Sequence, residues 1–183
     1  MLEITIPKRE LFDDSKQEFI AEPEVTLVLE HSLVSLSKWE SKWEKPFLSD
    51  SDRTDAETLD YIAMMAISPG ATPEALNRLT KANYDAVGEY INASMTATWF
   101  NDPEKPTGRK EVVTAEIIYY WMISLNIPFE CQYWHLNRLM TLIKVCNLKN
   151  TPPDKKKSVS KSELAARNRA LNAKRREQMK TRG

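Results

Sequence analysis

The sequence predicts an α+β fold, mostly helical: an N-terminal β ribbon packed on a helical core, a central αα-hairpin and a C-terminal basic helical arm. Three observations predict it. Apolar residues alternate with polar ones near the N-terminus. Caps and breakers then mark off helices through the rest of the chain. Charge, finally, is split unevenly between body and tail.

The ribbon takes residues 1–30. In LEITIP, Leu2, Ile4 and Ile6 alternate with polar partners, the pattern of a half-buried strand. Asp13-Asp14-Ser15-Lys16 is turn chemistry. Phe19, Val25, Leu27 and Leu29 follow, with Pro23 marking an edge or a bend. A hairpin or three-stranded ribbon of this size is marginal alone and must pack on helices.

Residues 31–150 read as helical. A first helix over 32–44 ends before Pro46. Thr54-Asp55-Ala56-Glu57 is a capping box, because Thr54 can accept from the Glu57 amide while Glu57 reaches back. Leu59, Ile62, Ala63 and Ala66 make its apolar stripe, and Ser68-Pro69-Gly70 stops it. Thr72-Pro73 is a cap followed by proline at the first helical position. A helix over 81–93 carries Tyr84, Val87 and Ile91. MTATWF at 95–100 leans toward β, and 101–110 is a loop. The stretch from Glu111 to Leu148 predicts two apolar helices meeting at Asn126-Ile127-Pro128, with Pro128 opening the second, an αα-hairpin covered by its neighbours.

Residues 1–150 therefore form a single globular domain, and 151–183 a linker and basic helical arm opened by a second capping box, Ser160 to Glu163. Formal net charge over 183 residues is zero, yet residues 1–153 carry 15 Lys/Arg against 23 Asp/Glu, and residues 154–183 carry 11 against 3. An acidic body (−8) with a basic tail (+8) suggests two jobs, or a tail that folds back on its body or reaches an anionic partner.

Chemistry-bearing motifs are scarce. Four glycines build no phosphate loop. Cys131 and His135 are four apart on one predicted helix, but two ligands are too few for a metal. His31 and Cys146 could join them only through folding. The expectation is two buried thiols and core or capping histidines, with no catalytic residue, cofactor or metal. Two cysteines make no disulfide framework and fit a reducing cytoplasm. No apolar run approaches the length of a membrane helix.

The repeat SKWESKWE at 37–44 is the most distinctive stretch. Four-residue spacing puts Trp39 and Trp43 on one helix face, flanked by a row of Lys38 and Lys42 and a row of Glu40 and Glu44. Burial of the ridge against the core is the expectation. The functional alternative leaves part of it open to an apolar helix. Candidate partner-binding residues are thus Trp39 and Trp43 and, on the arm, Arg167, Arg169, Lys174, Arg175 and Arg176.

Four segments, LEHSLVSLSKWESKWEKPFL, MTATWF, EIIYYWMISLNIPFECQYWHLNRLMTLIKVCNLKN and ARNRALNAKRREQMKTRG, resemble a family of tailed-phage proteins encoded near the tape measure gene. The resemblance implies a tail assembly chaperone or related morphogenesis protein, non-enzymatic. It would act in the host cell cytoplasm on apolar helical segments of the tape measure protein or another phage tail protein. Self-association is a further contact open to it. The alternatives are a structural component of the virion at the head–tail or tail interface, and a nucleic-acid-binding protein acting through the basic arm.

Overall fold

The structure, a computed structural model, describes residues 1–15, 17–49, 52–98, 100, 112–150 and 169. It divides into two compact units, Met1–Cys146 and Asn147–Gly183. The arm expected over 151–183 lies outside the described residues except Arg169, which is helical and exposed.

Strands β1 (Leu2–Ile6), β2 (Arg9–Asp13), β3 (Glu18–Glu22) and β4 (Val25–Leu29) form two antiparallel pairs, β1 with β4 and β2 with β3. Both pairs keep one register: Leu2 faces Leu29, Ile6 faces Val25, Arg9 faces Glu22 and Asp13 faces Glu18. They are one long hairpin with a gap, and the gap holds Pro7 and Pro23, which have no N–H to give the ladder. The guanidinium of Arg78 fills it, Nη1 donating to the Pro7 and Pro23 carbonyls, each at 3.0 Å. Strand β2 is an addition to the sequence expectation, which placed no strand between Ile6 and the turn.

The near half of the ribbon is core. Ile4, Ile6, Leu27 and Leu29 are buried. The far half is bare, with Phe12 and Phe19 stacked across the strands at 5.0 Å and both exposed.

Six α-helices follow among the described residues: α1 (Leu33–Trp43), α2 (Asp55–Met65), α3 (Pro73–Leu76), α4 (Lys81–Asn92), α5 (Ala115–Ser124) and α6 (Leu136–Asn150). Their starts are written locally. Ser32, Thr54, Thr72 and Thr80 each accept a hydrogen bond from the amide three residues on. After α2 the chain pairs back onto β4, Ile67 N–H donating to the Val28 carbonyl at 2.9 Å. Gly70 ends this segment at φ 104°, where a Cβ would also sit 3.1 Å from Val25 Cγ1. The stretch 95–98 and residue 100 form no strand.

Helix α1 is the hub. It packs on α2, on α5 and on a 3-10 helix, Phe129–Tyr133. That short helix corrects the expectation that Pro128 opens one long helix. Trp134 and His135 are extended, His135 bridges to Ser32, and α6 starts only at Leu136. The pairing of its first turn with His31, Leu136 N–H to the His31 carbonyl at 2.7 Å, outweighs continued helix. Ile118, Met122, Leu136, Leu139 and Ile143 enter the core as expected. The expected all-round cover of α5 is corrected as well: Tyr120 is 66% exposed and Ile123 60%.

Candidate functional site

The repeat lies on α1, and its first copy belongs to the core. Trp39 is 2% exposed, and its indole Nε1–H donates to the Glu57 carbonyl at 2.8 Å. Phe47 meets the Trp39 ring edge-on at 5.1 Å. Glu40, on one row with Glu44 by its spacing, is buried while Glu44 is exposed. Its two oxygens accept from the backbone amides of Phe47 and Ala115, each at 2.7 Å. Thr114, the residue before α5, makes no side-chain cap. Glu40 supplies that cap from 75 residues away and lends negative charge to the helix start. Burying a carboxylate is tolerable because both oxygens are met by amide donors.

The second copy borders a groove. Trp43 is half-buried and lies 6.4 Å from Trp39, ring to ring. With Leu59, Ala63, Ala71, Pro73 and Leu76 it lines a groove of about 460 Å³ between α1, α2 and α3. The small residues Ala63 and Ala71 keep the groove open. Lys42 and Asp60 form its polar border, paired at 2.5 Å. The indole nitrogen of Trp43 is buried and has no hydrogen-bond partner among the described residues. Leaving a buried donor unpaired costs about 1–3 kcal/mol. A mostly apolar groove of this size suits an apolar side-chain ridge.

The ridge is therefore divided: Trp39 is closed into the core, and Trp43 remains at the surface. Of the other residues expected to bind a partner, Arg169 is exposed. Arg167, Lys174, Arg175 and Arg176 lie outside the described residues. Trp43, a candidate from the sequence, lines the groove. Sequence reasoning missed Ala63, Ala71 and Pro73, whose only signal is smallness or rigidity at positions that α3 brings opposite α1.

The histidines sit in a second place, beneath a cleft. His31 Nδ1 is 2.5 Å from the Tyr61 hydroxyl, and the His31 and His135 rings lie 5.1 Å apart. His135 Nδ1 accepts from the Asn137 amide at 3.3 Å, which leaves Nε2–H to donate to the Tyr90 carbonyl at 3.0 Å. Both histidines are buried. Burial first, then the charges of His135 and Arg53, push His31 down to about 3. Burial also lowers His135 and raises the Tyr61 phenol. A base this weak gives little general-base catalysis at neutral pH, so the pair acts as a hydrogen-bonded piece of core.

Cys131 is buried, its thiol raised mainly by burial, and Cys146 is half-buried. No group of three His, Cys, Asp or Glu side chains among the described residues is placed to hold a metal. No described helix is long and apolar enough to cross a membrane. No family model, characterised protein or solved structure matches the chain.

Proposed function

We propose that the protein is a tail assembly chaperone, or a related tail morphogenesis protein, that holds apolar helical segments of the tape measure protein. The observation that supports the binding mode is the groove beside Trp43, lined mainly by Leu59, Ala63, Ala71, Pro73 and Leu76. An amphipathic helix laid into such a groove buries its apolar ridge by the helix-in-groove mode. The resemblance of four segments to tailed-phage proteins is what nominates the tape measure protein. The arm, net +8 over 154–183, adds long-range attraction for an acidic stretch of the same partner.

Co-expression with a tape measure fragment tests this reading. The full chain should co-purify with the fragment, and Ala63→Arg, which fills the groove, should abolish capture while melting near wild type. A folded Ala63→Arg variant that still captures the fragment sinks the groove as the site. The virion-component alternative is separated by asking whether the chain remains in purified particles. A third reading rests on the arm's charge. If replacing Arg167, Arg169, Arg175 and Arg176 by glutamine leaves capture intact but removes salt-dependent DNA binding, the arm serves nucleic acid.

A further inference from the structure

The cleft over His31 and Tyr61 is unrelated to the Trp43 groove and holds about 370 Å³, within the roughly 300–1,000 Å³ of ligand pockets. Its lining comes from His31 just before α1, from Phe47, Leu48, Ser49 and Arg53, and from α2, α4 and α6. Phe47, Ile62, Val87 and Ile91 provide an apolar wall. Arg53 is the single charged side chain of the lining among the described residues.

The hydrogen-bond inventory of the cleft narrows what can enter. Arg53 stacks its guanidinium over the Phe47 ring at 4.1 Å and donates from Nη2 to the Phe47 carbonyl. A guanidinium has five N–H donors, so the contact spends one and fixes the plane of the rest. Asn137 spends its amide nitrogen on the carbonyls of Ile91 and Ala93, at 2.9 and 2.8 Å, which leaves Oδ1 as an acceptor. His31 and Tyr61 satisfy each other at 2.5 Å. The imidazole is neutral, since burial holds its pKa near 3. The lining thus carries one positive charge in a fork that matches a carboxylate, beside an apolar wall.

We propose that this cleft binds a small organic carboxylate with an apolar, ring-sized body, its carboxylate on the free donors of Arg53 and its body against Phe47, Ile62 and Ile91. One cation balances a monoanion. A phosphate dianion would remain half uncompensated, and a neutral ligand would leave the guanidinium unused. Bidentate Arg–carboxylate pairing gives the orientation, and the apolar wall gives contact area.

The test titrates the full chain with phenylacetate, 2-phenylethanol and inorganic phosphate, followed by calorimetry and by the imidazole resonances of His31. Phenylacetate should bind saturably and shift the His31 signals. 2-Phenylethanol and phosphate should each bind at least about tenfold more weakly, a difference of about 1.4 kcal/mol. Arg53→Gln should lose about tenfold or more for phenylacetate, and Arg53→Lys, which keeps the charge without the fork, should fall between. A melt of each variant separates lost binding from lost fold, and Lys38→Ala, exposed and outside the lining of the cleft, should bind as wild type. Equal binding of phenylacetate and 2-phenylethanol, equal binding of phosphate, wild-type affinity in folded Arg53→Gln, or no His31 shift at saturation would each overturn the proposal.

Discussion

Ser37-Lys38-Trp39-Glu40 and Ser41-Lys42-Trp43-Glu44 occupy consecutive turns of one helix, and their side chains meet different surroundings. Trp39 is enclosed and its N–H is bonded to the Glu57 carbonyl, whereas Trp43 lines a groove and its N–H has no partner among the described residues. Glu40 is buried and caps α5, whereas Glu44 is exposed and ends α1 at φ 52°. Lys38 is exposed, and Lys42 pairs with Asp60. The difference follows from distance along the helix axis. Phe47 and the start of α5 close over the first copy, while the second lies one turn, about 5.4 Å, further on. Identical residues thus divide into a structural set and a surface set.

The largest effect should separate the tryptophans. Trp39→Ala should cost about 3–5 kcal/mol in urea melts, as for other fully enclosed aromatic side chains. Trp43→Ala should cost about half that, since only part of its surface is removed from water. Equal losses would mean the two copies are energetically equivalent.

The glutamates sharpen the contrast. Glu40→Gln keeps one carbonyl oxygen but turns an NH2 group toward the second amide, so it should destabilise by about 1–3 kcal/mol. Hydrogen exchange at the Phe47 or Ala115 amide should accelerate with it. Glu44→Gln should stay within about 0.5 kcal/mol. Unchanged exchange at both amides in Glu40→Gln would remove the capping role.

A smaller effect has the opposite sign. Glu44 holds a left-handed conformation that costs a non-glycine residue about 1–2 kcal/mol. Glu44→Gly should therefore raise stability, by about 1 kcal/mol at most after the entropy of glycine is counted. Glu40→Gly, in the helix interior, should lower it. A Glu44→Gly variant less stable than wild type would show that the helix end is held some other way.

The smallest effect concerns the lysines. Lys42 and Asp60 are each partly open to solvent, so Lys42→Ala should cost about 0.2–1 kcal/mol, fading with added salt. Lys38→Ala should be near zero at any salt concentration.

Local features were legible without the fold. The Thr54 and Thr72 caps and the alternation of β1 stand where the sequence placed them, whereas α2 ends at Met65, where Ala66 pairs with β4, before Ser68-Pro69-Gly70. Trp39 and Trp43 were also legible as one ridge. Less so was β2, where Leu11 and Phe12 break the alternation that marks a half-buried strand. The division of the apolar stretch after Pro128 was hidden too, because the competing partner, His31, lies far back in the chain.

The sequence by itself determined strand β1 and the starts of α2 and α3, because caps, prolines and side-chain periodicity act over three or four residues. It also determined the charge split between body and arm. Only the tertiary structure decided which Trp is core and which borders a groove, that Glu40 caps a helix 75 residues away, and that Arg78 bridges a gap between two prolines. It alone decided that Arg53, His31 and Tyr61 line one cleft. Burial and charge balance depend on which distant segment closes over a residue, and four identical letters carry no record of that.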